Sequence, residues 1–229
     1  DDRTSKKDAC DRGELEAKND VLRQLGLERL KSNQVEACSD SGDKVNCELY
    51  QSTFNTISGG YIKNFEILEQ KRGGIDNKFC VVKIVADAIK FKGKHDPDFI
   101  INADVGDRRR FFEGSHLTIN AELNKEAFVS VLGWYPDIDK ANYYKLFPNK
   151  YDKNNFLQNR FNIPTRSNST RYKLDIGFPS DLKKDETQEF IIVLATKRKF
   201  AILNKIKASE LLTRLDEDGK SNWYMQKIG

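Results

Sequence analysis

The second half of the chain is divided into short apolar runs of strand length, and this spacing restricts the fold more than any other feature. Polar turns separate the runs, and apolar and polar side chains alternate within several of them. A period of two places alternate side chains on opposite faces of a sheet. The predicted strands are residues 99–102, 116–121, 127–134, 143–147, 161–163, 171–176 and 188–196. Several short strands at this spacing are typical of a β-sandwich.

The end of this region adds an interior strand, a short helix and a last strand. The string FIIVLAT at residues 190–196 is apolar throughout, as expected of a strand inside a sheet. Residues 209–215 have the spacing of a short helix, with Asp216-Glu217-Asp218-Gly219 as its exit turn. Residues 223–225 are predicted to form an edge strand.

The beginning of the chain has a different pattern, a helix followed by a long hairpin. Small and apolar residues fall on one face of a helix predicted over residues 5–31, which suits close packing against a sheet. Residues 54–69 and 78–91 are predicted strands, with Gly73-Gly74 at the turn between them. The second strand places Phe79 and Val81 on one face and Cys80, Val82, Ile84 and Ala86 on the other.

These patterns predict an α+β protein of two domains. Residues 93–98 are polar, contain a proline and show no periodicity, so they are the predicted linker. A small helix-plus-hairpin α/β domain is predicted at residues 1–92. A β-sandwich domain with a short C-terminal helix is predicted at residues 93–229.

All four cysteines lie within the first 80 residues of the chain. An even number in one region is typical of disulfides formed in an oxidising compartment. Cys38 and Cys47 bracket a short polar loop, which leaves Cys10 to pair with Cys80. A zinc site is the alternative, but the chain has no C-x2-C pair and neither histidine is near a cysteine in sequence. We predict two disulfides and no metal.

Several function classes lack the motifs that their chemistry needs. The chain has no G-x-S-x-G, no caspase or papain cysteine signature, no Walker loop and no G-x-G-x-x-G, so no cofactor is predicted. His95 and His116 have no evident partner in sequence. The basic run Arg108-Arg109-Arg110 is flanked by acidic residues, and the net charge of +4 is mild. We therefore predict a solvated segment there and no nucleic-acid partner.

Two acidic clusters have carboxylates two residues apart, as calcium loops do. They are Asp137-Ile138-Asp139 and Asp216-Glu217-Asp218. Neither continues into a twelve-residue loop that ends in glutamate. We interpret them as turn and helix-end residues. Asn168-Ser169-Thr170 fits a glycosylation sequon and is interpreted as a polar loop.

A group of aromatic residues around residues 134–151 is the remaining candidate site. Trp134 and Phe147 are assigned to packing, because about half of the aromatics of a strand face the core. Tyr135 and Tyr151, beside polar residues, are expected to be exposed. The candidate binding residues are Tyr135, Tyr144, Tyr151 and Asn149, suited to contact with a sugar or a peptide. The alternative for Asn149 is structural, since asparagine after Pro148 stabilises its own turn.

Residues 115–164 contain AFVSVL, then LFPN at 146–149, a following asparagine and Ile163-Pro164. In these marks the segment resembles a bacterial domain family of unknown function, a β-rich accessory module fused to envelope proteins, protease-like domains and kinases. The resemblance implies that the domain binds or positions a partner and does not react with it.

Residues 5–90 carry a second resemblance. The helix segment SKKDACDRGELEAK, the stretch 58–62 (SGGYI) and the Cys80-Val81-Val82 strand resemble a periplasmic α/β module. That module occurs at the N-terminus of the flagellar T-ring protein and in related outer-membrane lipoproteins. The upstream strand that opens the module there is not evident in this chain.

Taken together, these features predict a non-catalytic bacterial protein of the periplasm or of the periplasmic face of the outer membrane. It would contact another envelope protein, with a motor or secretion assembly as one setting, and a lipid anchor missing from the N-terminus would attach it to the outer membrane. A carbohydrate- or peptidoglycan-binding module is the first alternative and would need exposed aromatics in a groove. An enzyme is the second and would need converging carboxylates such as Asp137, Asp139 and Asp152.

Overall fold

The structure, a computed structural model, divides the chain into two compact units. They are Asp1–Phe91 and Lys92–Gly229, and the boundary predicted from the sequence lies between residues 92 and 93. The structure describes residues 6–25, 59–73, 79–106, 110–178, 180, 186–187 and 189–228. Within these residues, no helix is long and apolar enough to cross a membrane.

The first unit contains one helix and one antiparallel hairpin. Helix α1 is Lys6–Gln24, and the hairpin pairs β1 (Gly60–Gly73) with β2 (Phe79–Lys90). The helix packs closely on β2 at Gly13, where a Cβ atom would come within 2.8 Å of both the Cys80 carbonyl oxygen and Val82 Cγ2. Only glycine allows this approach, so the predicted packing of small residues against a sheet is confirmed.

The predicted Cys10–Cys80 disulfide is present and joins the helix to the hairpin. The two Cα atoms are 4.9 Å apart, and the bond links residues 70 positions apart in sequence. Burial alternates along β2 as predicted, with Phe79 and Val81 exposed and Cys80 and Val82 half-buried. Cys38 and Cys47 lie outside the described residues.

The hairpin differs from its predicted bounds. Strand β1 continues to Gly73, four residues past the predicted end at Glu69, and it starts at Gly60 in the described part of the chain. Residues 54–58, with which the predicted strand began, lie outside the described residues, as does Gly74 of the predicted turn. Cross-strand pairing is cooperative along a ladder, so the strand runs to the end of its partner and not to the end of its apolar pattern.

The second unit is built from eleven short strands and one α-helix in its described part. They are β3 (Ile101–Asp104), β4 (His116–Leu117), β5 (Ile119–Leu123), β6 (Ala127–Tyr135), β7 (Asp139–Phe147), β8 (Phe156–Leu157), β9 (Arg160–Ile163), β10 (Leu174–Asp175), β11 (Phe190–Thr196), β12 (Lys205–Lys207), helix α2 (Ala208–Asp218) and β13 (Trp223–Ile228). Every strand run predicted from the sequence overlaps one of these strands. Strands β8 and β12 were not predicted, because two or three residues are too few to show a period.

Two sheets enclose the core of this unit. The larger sheet has the order β12-β7-β6-β11-β13, with β8 paired to β6, and the smaller one has the order β3-β5-β9. Side chains from both sheets form one buried cluster, which includes Ile101, Ile119 and Ile163 from the smaller sheet and Val129, Val131 and Val193 from the larger. Strand β11 lies inside its sheet and β13 at its edge, as predicted. The packing of two sheets on a shared core is that of a sandwich.

Helix α2 contacts β7 and β12 of the larger sheet. Its residues Leu211, Leu212 and Leu215 are buried, and the indole Nε1 of Trp223 donates a hydrogen bond to the Leu215 carbonyl at 2.9 Å. The helix extends through Asp218 and ends at Gly219, whose φ of 86° favours glycine. The predicted exit turn at Asp216 is therefore wrong by three residues. The predicted α+β class, a helix-plus-hairpin unit followed by a β-sandwich with a short C-terminal helix, is confirmed.

Candidate functional site

The loop that follows β7 is organised by Asn149. Its Oδ1 accepts hydrogen bonds from the backbone N–H groups of Tyr151 (2.9 Å) and Asp152 (3.0 Å), and its Nδ2 donates to the Leu146 carbonyl at 3.0 Å. The preceding Phe147–Pro148 peptide bond is cis. These contacts commit the amide of Asn149 to its own turn, which supports the structural interpretation of LFPN.

Asp152 connects this loop to the loop that follows β9. Its carboxylate is buried, with 2% of the residue exposed. One oxygen accepts hydrogen bonds from the Thr165 N–H at 2.9 Å and the Tyr172 hydroxyl at 3.2 Å, and the other accepts from Asn168 Nδ2 at 3.1 Å. A buried carboxylate is costly unless donors surround it, and here three donors do.

Two tyrosines stack above this network. The rings of Tyr151 and Tyr172 are 5.9 Å apart between centroids and 15° from parallel. Tyr151 is 44% exposed, and the Lys150 ammonium lies 4.7 Å from the centroid of its ring. Burial is the main cause that raises the pKa of Tyr172 to about 12, so its hydroxyl remains a donor to Asp152. We call Lys150, Tyr151 and Tyr172 the tyrosine surface.

The other two candidate tyrosines lie elsewhere, on the β6–β7 hairpin. The rings of Tyr135 and Tyr144 are 5.6 Å apart. The Tyr144 hydroxyl donates to Asp139 at 2.8 Å, and Lys205 of β12 forms an ion pair with the same carboxylate at 2.9 Å. Hydrogen bonds from Lys205, then from Asn142 and Tyr144, hold the pKa of Asp139 well below its usual range. Asp139, Asn142, Tyr144 and Lys205 form the β7–β12 cluster, which links the two strands, and its polar atoms bond to one another.

Tyr135 is half-buried, so its predicted exposure is wrong, whereas Tyr151 is exposed as predicted. The Tyr135 ring lies over Gly133, where a Cβ atom would overlap its hydroxyl. Burial, followed by the charge of Glu189, raises the pKa of Tyr135 to about 12. The missing side chain at Gly133 gives the ring its place on the sheet, and this explains the low exposure. Trp134 and Phe147 are buried in the core, as predicted.

The acidic residues considered for catalysis each have separate partners. Asp137 accepts a hydrogen bond from Thr187 at 3.1 Å, Asp139 belongs to the β7–β12 cluster, and Asp152 supports the tyrosine surface. Among the described residues, no group of three or more histidine, cysteine or acidic side chains could hold a metal ion. Asp216, which belongs to α2, is buried and accepts a hydrogen bond from the Lys92 N–H at 2.8 Å.

Both histidines have partners that the sequence did not reveal. His116 Nδ1 lies 2.7 Å from Asp175 Oδ1, because β4 pairs with β10 and places these residues opposite each other. The His95 ring lies 5.1 Å from the ring of Tyr224. Burial, followed by the charge of Lys220, lowers the pKa of His95. The Asn168 amide of the sequon is half-buried and bonds to Asp152 and Thr165.

Sequence reasoning missed two features. Tyr172 is 20 residues from Asp152 and no local pattern links them, since loops from different strands bring them together. The second feature is the basic segment 197–207, KRKFAILNKIK, which has five basic side chains and no acidic one. Its charge pattern was a sufficient signal.

Comparison with known proteins gives one match. Residues 110–199 match the model of a family described as a domain of unknown function (DUF4384). This range lies in the second unit and contains strands β4 to β11 and the tyrosine surface. Neither a curated protein nor a solved structure matches the chain. The resemblance of residues 5–90 to the T-ring module stays a prediction.

Proposed function

We propose that the chain is a non-catalytic binding or assembly component of the bacterial cell envelope, and that its second unit contacts another envelope protein through the tyrosine surface. The observation that carries this proposal is the stacked pair Tyr151–Tyr172, held above the buried carboxylate of Asp152.

The support below the tyrosines lowers the entropic cost of binding. Asn149 holds the backbone at Tyr151, and Asp152 accepts the hydroxyl hydrogen bond of Tyr172. Both rings are therefore oriented before a partner arrives. Side chains that are ordered in advance lose less conformational freedom on association, and tyrosine is enriched among the residues that dominate protein interfaces.

The arrangement favours a protein partner over a sugar. A sugar stacks on an open aromatic face. The ring of Tyr151 is already stacked on the Tyr172 ring, with 5.9 Å between centroids, and the Lys150 ammonium lies 4.7 Å from its centroid. Ring edges, a hydroxyl and a cation remain available, and these suit the polar and aromatic groups of a protein surface. A carbohydrate- or peptidoglycan-binding module is the second candidate, since the same exposed aromatic pair supports it.

The disulfide supports a periplasmic location. A bond between Cys10 and Cys80 persists in an oxidising compartment and is rare in the bacterial cytosol. A motor or secretion assembly, and attachment to the outer membrane, are extensions of this proposal.

Photocrosslinking in the native organism tests the proposal. A benzoylphenylalanine at position 151 should form covalent adducts with one or a few envelope proteins in the periplasmic or outer-membrane fraction. The matched control is the same residue at position 156, because Phe156 is 43% exposed and lies on β8 of the same unit. Mass spectrometry of the adducts then names the assembly.

Three outcomes would contradict the protein partner. Equal capture at positions 151 and 156 would show that the tyrosine surface has no special role. Recovery of glycan fragments alone would replace the proposal with the carbohydrate candidate. Recovery of the unmodified monomer alone, at either position, would remove the protein partner from the proposal.

A further inference from the structure

The segment 197–207 is the most strongly charged part of the second unit. It reads KRKFAILNKIK, with five basic side chains and no acidic one, in a chain whose net charge is +4. It comprises the loop between β11 and β12 and all of β12. We call these eleven residues the basic loop. None of its residues belongs to the tyrosine surface or to the core cluster of the β-sandwich.

Several bonds hold the backbone of the basic loop in place. Lys145 of β7 donates to the Asn204 carbonyl through its N–H and to the Ile202 carbonyl through Nζ, both at 2.9 Å. Arg214 of α2 donates to the Ala201 carbonyl at 2.7 Å. Ile202 is buried, with 7% of the residue exposed. The loop is thus a fixed projection of the unit, and its exposed side chains have a set position.

Two cations of the loop are neutralised by neighbouring carboxylates. Lys197 pairs with Asp96 at 2.6 Å, and Lys205 pairs with Asp139 at 2.9 Å. The other three cations, at positions 198, 199 and 207, are exposed and form no ion pair with any residue that the structure describes. The nearest acidic residue along the chain is Glu210, in the first turn of α2.

An apolar side chain projects between these cations. Leu203 is 62% exposed, although its neighbour Ile202 is buried. Burial of that leucine in water-free surroundings would be favourable, and nothing in the described part of the second unit covers it. A fixed loop that carries unpaired cations on both sides of an exposed leucine is suited to an anionic interface with an apolar interior.

We propose that the basic loop binds the surface of an anionic phospholipid membrane, with Arg198, Lys199 and Lys207 at the lipid phosphates and Leu203 inserted among the acyl chains. Charge complementarity requires an anionic partner. Leu203 favours a lipid surface over a nucleic acid, which would stack on exposed aromatic side chains, and the single aromatic residue of the loop, Phe200, is half-buried under Arg214. This inference goes beyond the proposed protein contact and uses other residues.

Co-sedimentation of the full chain with vesicles tests the proposal. The chain should bind vesicles of phosphatidylcholine mixed with phosphatidylglycerol, should not bind phosphatidylcholine alone, and should dissociate at high ionic strength. The double variant R198Q/K199Q should weaken binding about 30-fold, since each cation near an anionic surface contributes roughly fivefold. Leu203→Ser should weaken it about tenfold, from the loss of apolar transfer.

The double variant K83Q/K90Q is the matched control. It removes the same charge from two exposed lysines of β2 in the other unit, and it should bind as the unaltered chain does. Equal losses in the two double variants would overturn the proposal, because binding would then follow net charge alone. The proposal would also be overturned if the unaltered chain did not bind the vesicles that contain phosphatidylglycerol. Retention of the same chain on a heparin column would then indicate an anionic polymer as the partner.

Discussion

Replacing Asp152 by alanine should destabilise the second unit by about 3–5 kcal/mol. The carboxylate accepts three hydrogen bonds, and a hydrogen bond to a charged group contributes about 1.5–3 kcal/mol. Tyr172 is half-buried and its hydroxyl can turn toward water, so the loss is counted from the bonds of Thr165 and Asn168 only. The backbone N–H of Thr165 has no such freedom and would lose its acceptor. Two bonds at about 1.5–2.5 kcal/mol each give about 3–5 kcal/mol. Domains are stable by about 5–15 kcal/mol, so the variant would retain little of that margin.

Urea denaturation followed by tryptophan fluorescence measures this loss selectively. Both tryptophans of the chain, Trp134 and Trp223, lie in the second unit, so the signal reports on that unit. With an m-value of about 2 kcal/mol/M, the expected loss lowers the urea midpoint by about 2 M. Asp175→Ala is the control, since that carboxylate is 69% exposed and forms a surface pair with His116. Its removal should cost less than about 1 kcal/mol.

Asp152→Asn gives an intermediate test. The amide oxygen can still accept from Thr165 and Tyr172, while the amide nitrogen places a donor against Asn168. We expect a loss of about 1–2 kcal/mol, the difference between charged and neutral acceptors at one to two bonds. The reasoning would be refuted if Asp152→Ala and Asp175→Ala had the same midpoint, because the buried network would then contribute no more than a surface pair.

Two further predictions concern the disulfide and a half-buried lysine. The double variant Cys10→Ser/Cys80→Ser removes a bond that spans 70 residues, and the chain-entropy model gives a loss of about 4 kcal/mol in the stability of the first unit. The loss should appear as faster hydrogen exchange of the β1 and β2 amides, and unchanged exchange would contradict the prediction. Burial lowers the pKa of Lys220 to about 7, so between pH 7 and 10 the unfolded chain binds more protons than the folded one and stability rises with pH. Lys220→Met should reduce the slope of stability against pH without abolishing it, because burial also lowers the pKa of Lys227. Parallel profiles of urea midpoint against pH for the variant and the unaltered chain would argue against the assignment of this slope to Lys220.

Part of the candidate site could be predicted from local chemistry. The turn role of Asn149 follows from its position after Pro148, and the exposure of Tyr151 follows from its polar neighbours. The half-burial of Tyr135 could not be predicted, because it depends on an absent side chain at Gly133. The stacking of Tyr151 on Tyr172 could not be predicted either, since the two residues belong to different loops.

The order and type of the elements follow from local patterns in the sequence. Alternation in residues 79–91 and the apolar run 190–196 specify strands locally, because a period of two is a property of adjacent residues. The Cys10–Cys80 pairing was predicted because Cys38 and Cys47 bracket a short loop, which leaves the other two cysteines to pair. Which polar groups meet depends on the tertiary structure. The donors around Asp152 all belong to the loop that follows β9, 13 to 20 residues away along the chain, and only the pairing of strands and the exclusion of water bring that loop to the carboxylate.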